Sequence, residues 1–157
     1  MTDPSETSAD VDALVANEMS DGARDEALRD HGTGVLALAR ENEAYAVPVS
    51  FGYDGDHCHF VFVGYHEPST KATFAETTER ATLTVYAEDS RTDWHSVLVR
   101  GAVEQLESEA EWAAAREAID DNGWYPSLFR EADPRGSVDL WALEATAVTG
   151  YAASPST

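Results

Sequence analysis

Basic residues are scarce in this sequence. Its 157 residues include only 10 lysines and arginines against 30 aspartates and glutamates, which gives a formal net charge of −20. Without a basic stripe the chain cannot displace counterions from a phosphate backbone, so we expect neither a nucleic acid nor an anionic membrane surface as a partner. Hydrophobic residues still make up 43% of the chain, too many for a disordered acidic tail. The composition therefore indicates a salt-adapted (halophilic) globular protein, because concentrated salt screens the repulsion between surface carboxylates.

Cysteine is also scarce, and long apolar runs are missing. Cys58 is the only cysteine, which excludes an internal disulfide and a cysteine-based zinc site. The sequence has neither a basic-then-apolar leader nor an apolar run of about 18 residues, so we expect a cytoplasmic protein. The length fits one domain. We expect a disordered tail at residues 1–10, a single domain at residues 11–151 and a frayed end at residues 152–157.

Residues 45–53 alternate large apolar side chains with small ones. This pattern predicts a β-strand with one core face and one shallow face. Asp54-Gly55 is a preferred two-residue hairpin turn, and it would set Phe51 opposite Cys58. A flat ring could approach the backbone over the shallow face, where Pro48 suits an edge strand. The alternative is that the small residues only admit a packing neighbour.

The remaining elements follow from periodicity and capping signals. Helices are predicted at residues 20–31, at about 68–78 and after the Ser108–Glu111 capping box. Further strands are predicted at residues 34–39, 81–86, 94–103 and 138–151. Helices confined to linkers, without regular βαβ alternation, predict a mainly β fold, a six-stranded antiparallel β-barrel with flanking helices.

The only lysine of the chain, Lys71, ends the run Pro-Ser-Thr-Lys at residues 68–71. This run stands at the predicted start of a helix. The unpaired N–H groups and the positive dipole end of a first turn, together with hydroxyls and an ammonium group, can hold a phosphate. The alternative is a solvated surface lysine, and the run alone does not decide between them.

Other common chemical signatures are missing. The sequence contains no Gly-x-Gly-x-x-Gly, Walker loop, His-Glu-x-x-His or Gly-x-Ser-x-Gly motif. His57 and His59 share one face of a predicted strand, but two ligands are too few, so we predict no metal site. His95 and Ser96 follow Asp93, yet neighbouring strand residues point to opposite faces. His95 is therefore not expected to act as a base for Ser96.

The order of these segments resembles the pyridoxamine 5′-phosphate oxidase-like, FMN-binding split-barrel family, over about residues 20–150. Within that family the chain resembles a small, nitroimidazole-resistance-like branch of haloarchaeal type. After the first helix, the segments that carry the resemblance are Gly34-Val-Leu-Ala-Leu, Ala46-Val-Pro-Val-Ser-Phe, Phe60-Val-Phe-Val-Gly64, Ser69-Thr-Lys71 and Ser96-Val-Leu-Val-Arg-Gly101.

The resemblance implies a homodimer whose two protomers build the FMN sites together. The Ser-x-Lys step would hold the phosphate, residues 47–50 would run along the ring system, and Ser96 would lie near the phosphate or the ribityl chain. The implied cofactor-binding residues are Val47, Pro48, Val49, Ser50, Val63, Gly64, Ser69, Thr70, Lys71 and Ser96.

The function implied is that of a flavin-dependent oxidoreductase acting on an unidentified small molecule. No catalytic side chain is assigned, because the reactive atom is the flavin N5. His59, His66 and Tyr65 are the nearest candidates for proton transfer. The alternatives are a reductase of the same fold that uses a deazaflavin (F420) and a non-catalytic barrel that binds flavin or haem. The C-terminal arginine and tryptophan contacts of the pyridoxamine phosphate oxidases are missing, so we do not expect that reaction.

Overall fold

The computed structural model describes residues 16–63, 70–122 and 138–153. These residues form nine strands and three helices. The strands are β1 (Asn17–Glu18), β2 (Thr33–Arg40), β3 (Glu43–Tyr53), β4 (His57–Val63), β5 (Ala81–Ser90), β6 (Asp93–Gly101), β7 (Val103–Gln105), β8 (Val138–Glu144) and β9 (Ala147–Ala152). The helices are α1 (Asp21–Asp30), α2 (Thr70–Thr77) and α3 (Glu109–Asn122).

All strands belong to one antiparallel sheet with the order β1-β9-β6-β5-β2-β3-β4-β8-β7. A mainly β, antiparallel fold is thereby confirmed. The predicted number of six strands is wrong, because the described residues hold nine. None of the helices in this part of the chain is long and apolar enough to span a membrane.

Two of the predicted strands are each divided in the structure. The predicted strand at 138–151 is β8 followed by β9, and the predicted strand at 94–103 is β6 followed by the first residue of β7. Between β8 and β9 the chain turns a corner, where the Thr146 N–H donates to the carbonyls of Arg100 and Glu144. A Cβ at Gly101 would collide with the Glu144 carbonyl, so the chain crosses itself closely there. Apolar alternation continues through both corners, which is why periodicity did not locate them.

The register predicted for the β3–β4 hairpin is wrong. Phe51 pairs with Phe60 instead of Cys58, and Cys58 pairs with Tyr53. The Asp54 N–H donates to the His57 carbonyl (3.1 Å), and Gly55 has a φ of 105°. The turn is therefore centred on Gly55 and Asp56, with glycine at the first central position, which hairpins also favour. Phe60 and Cys58 are two positions apart, so their side chains lie on the same face of β4. Phe51, Cys58 and Phe60 therefore all face the core, as predicted.

The predicted helix starts are confirmed for α1 and α3. Ser20 caps α1 by accepting a hydrogen bond from the Ala23 N–H (3.1 Å). At α3, Ser108 Oγ accepts from the Glu111 N–H (3.1 Å) and Glu111 Oε1 accepts from the Ser108 N–H (3.2 Å), which is the reciprocal capping box. Helix α3 buries Ala115 and Ile119 against β8 and its neighbours. The main core lies on the opposite side of these strands and includes Leu36, Phe51, Phe60, Leu83 and Val97.

The frayed C-terminal end was predicted to begin at residue 152, but residues 152 and 153 are still part of the folded structure. Ala152 is the last residue of β9 and pairs with both Asn17 and His95. Ala153 is buried, and its N–H donates to the Trp94 carbonyl (3.0 Å). The other residues of the predicted tails, 1–10 and 154–157, lie outside the described residues.

Candidate functional site

Strand β3 changes its hydrogen-bonded neighbour in the middle. From Glu43 to Ser50 it pairs with β2. In the described part of the chain its pairing with β4 runs only from Phe51 to Tyr53. The two strands therefore diverge before Phe51, and none of the described strands pairs with this edge of β3. We call residues 46–50 of β3 the open edge.

Pro48 lies in this open edge, opposite Val35 of β2. The Phe51 N–H donates to the Gly32 carbonyl (3.0 Å), which continues the β2–β3 ladder. Because successive residues of a strand direct their N–H groups to alternate sides, the nitrogen of Pro48 faces away from β2. Proline therefore removes no bond from this ladder, in agreement with the edge position predicted for it. By the same alternation, Ala46 and Ser50 direct their N–H groups towards the open edge.

Side chains at the open edge alternate as predicted. Val47 and Val49 face the core, and Val49 is only 8% exposed. A ligand at the edge could therefore meet these two residues only through their backbone. Ala46 and Pro48 are exposed, and Ser50 is half-buried. Ser50 Oγ donates to the Gly32 carbonyl at 3.3 Å, which fixes the position of this hydroxyl.

Helix α2 lies across the divergence of the two strands. Lys71 Nζ lies 5.7 Å from the centre of the Phe62 ring on β4. One turn later, Phe74 stacks on Tyr45 of β3 with the ring centres 5.2 Å apart. Phe74 and Ala75 are buried, so the middle of the helix is anchored in the core. The lysine is thus held at the beginning of α2, above the place where β3 and β4 separate.

The first turn of α2 differs from the first turns of the other described helices. It contains no acidic residue, whereas α1 has Asp21 and α3 has Glu109 and Glu111 there. Thr70 is exposed. In a chain with 30 carboxylates, the described first turn of α2 carries an ammonium group and no acidic side chain of its own. The arrangement suits an anion such as a phosphate.

The other predicted site residues lie elsewhere or cannot be placed. Gly64, Ser69, Tyr65 and His66 and the side chain of Val63 lie outside the described residues. Ser96 lies on β6, and β5, β2 and β3 separate β6 from β4 in the sheet order. Within one chain, Ser96 is therefore not beside Lys71.

Ser96 belongs instead to an exposed face of the sheet. It pairs with Tyr86 on one side and Tyr151 on the other, and these tyrosines are 65% and 43% exposed. The β2–β5–β6 register continues this face through Val35 and Leu98 to Pro48 of the open edge. We call this surface the outer face of the sheet. Ser96 and Pro48 thus share one face, although strands separate them.

His57 and His59 lie beneath α3, on the face that continues from Pro48 to Gly52, the partner of His59 in β3. His59 is 5% exposed, and its Nε2 lies 2.8 Å from Asp54 Oδ2. Partial burial raises the pKa of Asp54, but hydrogen bonds from His59 and from the Asp56 and His57 N–H groups outweigh it and hold this pKa below its usual value. His59 and Phe62 have opposite positions in the strand alternation, so His59 does not face Lys71.

A cavity of about 220 Å³ opens beside these histidines, and Glu104, Glu111 and Glu144 contribute to its wall. Nevertheless, the described residues contain no group of three or more histidine, cysteine, aspartate or glutamate side chains placed to hold a metal ion. Cys58 is buried, and burial raises the pKa of its thiol, so it does not offer a reactive thiolate.

One contact between functional side chains has no sequence signal. His31 Nε2 lies 2.9 Å from His95 Nε2, which joins the end of α1 to β6. These residues are 64 positions apart, and neither stands in a motif. Their approach depends on the packing of α1 over the end of the sheet, which local patterns do not encode.

The chain belongs to the pyridoxamine 5′-phosphate oxidase family, whose sequence model matches residues 20–152. No curated protein has a significantly similar sequence. The predicted resemblance to this family is confirmed.

Solved structures share the fold at low sequence identity. A FAD-binding protein from Mesorhizobium loti has a TM-score of 0.71 and 20% identity, covering 90% of this chain and 100% of that one. A putative 5-nitroimidazole antibiotic resistance protein from Bacteroides thetaiotaomicron has a TM-score of 0.71 and 17% identity, with coverages of 88% and 87%. The FAD-binding protein from Mycobacterium smegmatis has a TM-score of 0.66 and 19% identity, with coverages of 88% and 97%. The described sheet and helices thus match the split-barrel structures of this family.

Proposed function

We propose that this protein binds FMN at the open edge of β3 and uses it as an oxidoreductase acting on a small molecule. The observation that carries the proposal is the divergence of β3 and β4 beneath α2, with the only lysine of the chain held there against Phe62. Membership of the pyridoxamine 5′-phosphate oxidase family supports a flavin over unrelated ligands.

The residues of the site fit the parts of FMN. The small outward side chains of Ala46, Pro48 and Ser50 leave space for a flat ring system against the strand. Lys71 and the first turn of α2 would hold the phosphate through charge-assisted hydrogen bonds. When bound, the flavin supplies the hydride or electron transfer, and the protein supplies position and electrostatics.

We further propose that two copies of the chain associate through the outer face of the sheet. Tyr86 and Tyr151 are the exposed large hydrophobic residues in the described part of the chain, and both lie on this face. Contiguous exposed apolar surface of this kind is typical of protein interfaces. Ser96 lies between the two tyrosines. In a dimer built on this face, Ser96 could reach the flavin of the second protomer, whereas within one chain other strands of the sheet separate β6 from β3 and β4.

An absorption spectrum of protein purified in molar KCl tests the cofactor, followed by heat release and mass analysis of the bound molecule. Bound FMN supports the proposal, and reduction of that FMN by NADH or NADPH supports catalysis. Since similar structures are named as FAD-binding or as FAD and haem-binding proteins, the same analysis must distinguish FMN from FAD, haem and a deazaflavin. Protein that takes up none of these four would overturn the proposal.

A further inference from the structure

The two imidazole rings of His31 and His95 approach each other end to end. Their Nε2 atoms are 2.9 Å apart, and the ring centres are separated by 5.2 Å at an interplanar angle of 73°. For a fixed distance between the two Nε2 atoms, the ring centres are furthest apart when both rings point straight at each other. The observed 5.2 Å is close to that maximum. One nitrogen therefore donates its hydrogen directly along the line to the other, and no space remains between them for a metal ion.

Both histidines are attached to well-anchored backbone. The His31 N–H donates to the Ala27 carbonyl (3.0 Å) and ends α1. His95 pairs with Ala87 and Ala152 in the ladders on either side of β6. The shared hydrogen therefore links two fixed elements and is not a contact between mobile surface side chains.

The residue that follows His31 connects this pair to the open edge. The carbonyl of Gly32 accepts the Phe51 N–H (3.0 Å) and the Ser50 hydroxyl (3.3 Å). Ser50 and Phe51 are the residues at which β3 leaves β4. A displacement of the segment His31–Gly32 would therefore disturb these two hydrogen bonds at the end of the proposed flavin site.

We propose that His31 and His95 are positioning residues for the open edge, and that acid pH weakens flavin binding by breaking their shared hydrogen bond. This inference rests on the proposed function, because it concerns the same flavin site. Neither histidine touches the flavin in this proposal; both act through Gly32 and Ser50.

The chemistry of the pair explains the direction of the effect. Two neutral imidazoles share one hydrogen, and a pair with one added proton can still form an N–H···N bond. A second proton leaves both facing nitrogens protonated, so the bond is lost and two like charges face each other.

The surroundings of His31 favour its neutral form. Burial, and next the neighbouring His95, lower the pKa of His31, whereas Asp30 opposes this shift. Asp93 lies two residues before His95 on the same strand face, and the ladder partners Ala87 and Ala152 carry no charge. Because the folded-state pKa of His31 lies below its unfolded value of about 6.5, the stabilisation is complete above about pH 6.5. It declines as the pH falls from there towards the lower folded-state pKa.

The test is the FMN affinity of the full-length protein in molar KCl between about pH 8 and pH 5, a range that spans histidine titration. It compares the wild type with His95→Gln, which keeps a hydrogen-bonding amide but does not titrate, and with His57→Gln as a control histidine outside the pair. Titration of the FMN phosphate is common to all three proteins. We expect the affinity of the wild type and His57→Gln to fall several-fold more than that of His95→Gln.

Equal pH profiles for the wild type and His95→Gln would overturn the inference while leaving the proposed function intact. Failure of FMN to bind at any pH would overturn both. Melting temperatures of the flavin-free proteins over the same pH range give the second measurement. The wild type should lose more stability below about pH 6.5 than His95→Gln. If His95→Gln does not fold, His31→Gln takes its place with the same expected profile.

Discussion

Lys71 Nζ lies 5.7 Å from the centre of the Phe62 ring. The only lysine of a strongly acidic chain is thus held against a buried aromatic residue of β4, at a helix turn without carboxylates. A cation over an aromatic face gains about 0.5–1 kcal/mol at an exposed site. That gain orients the ammonium group but leaves its hydrogen-bond donors available to an anion.

Replacing this lysine tests the phosphate site. We expect Lys71→Ala to weaken FMN binding by about 1.5–3 kcal/mol, or about 10–150-fold, because a charge-assisted hydrogen bond is lost. Equilibrium titration followed by flavin fluorescence measures this change. Arg80→Ala, which removes an exposed cation shortly after α2, is the control for overall charge. Equal affinities for Lys71→Ala and the wild type would mean that the lysine is only a surface residue.

A large side chain at the open edge tests the position of the ring. Ser50→Trp should abolish flavin occupancy, since the indole would fill the space against β3, while the sheet and the oligomeric state remain. Flavin content per protomer and size-exclusion chromatography in molar KCl give the two measurements. Asp120→Trp, on the exposed side of α3, is the control for adding an indole. Normal flavin content in Ser50→Trp would place the ring on another surface.

The sequence predicted the local elements better than their connections. Capping residues and alternation identified α1, α3 and the faces of β3, because those signals depend on neighbours in the chain. The corners after Gly101 and Glu144 were missed, since apolar residues continue through both of them. The two-residue error in the β3–β4 register has a similar cause: Asp54-Gly55 and Gly55-Asp56 are both acceptable turn centres. In the second of these turns the Asp54 carboxylate accepts hydrogen bonds from the Asp56 and His57 N–H groups, a stabilisation that the dipeptide alone does not reveal.

The same distinction applies to the candidate site. The run at residues 68–71 and the small face of residues 46–50 could be identified from the sequence, because each is a local pattern. The position of Ser96 on a separate part of the sheet depends on strand order, which one sequence does not reveal. The His31–His95 contact is equally non-local. Packing of distant segments therefore determines which of the candidates lie together.

Gly52 permits the close approach of α3 to β3. A Cβ at this position would collide with the backbone carbonyl of Ala118. We therefore expect Gly52→Ala to destabilise the protein by about 1–3 kcal/mol, lowering the melting temperature by several degrees. Gly22 of α1 has no atom within 4 Å of such a Cβ, and Gly22→Ala should be neutral or stabilising by about 0.5 kcal/mol. Equal melting temperatures in the two variants would contradict the packing of α3 described above.

Asp54 should make stability sensitive to acid. Its carboxylate accepts hydrogen bonds from His59 and from the Asp56 and His57 N–H groups, which hold its pKa below the usual value. For a carboxyl whose pKa is lowered on folding, the stabilisation is present above the unfolded-state pKa and is lost as the pH falls through the folded-state pKa. Between about pH 4 and pH 2, Asp54→Asn should therefore lose less stability than the wild type. Denaturant unfolding at several pH values measures this, with exposed Asp120→Asn as the control; parallel curves for all three proteins would contradict the prediction.

Salt should stabilise this protein by screening its surface charge. With a formal net charge of −20, repulsion among carboxylates opposes folding when the Debye length is about 30 Å in 0.01 M salt, and much less so at about 3 Å in 1 M salt. We expect the melting temperature to rise substantially from dilute to molar KCl. Sucrose strengthens burial by exclusion from the protein surface but does not screen charge, so sucrose at matched osmolality should produce a smaller rise. A melting temperature that is the same in dilute and molar KCl would remove the argument for salt adaptation, and an equal rise in sucrose would assign the effect to exclusion instead of to charge.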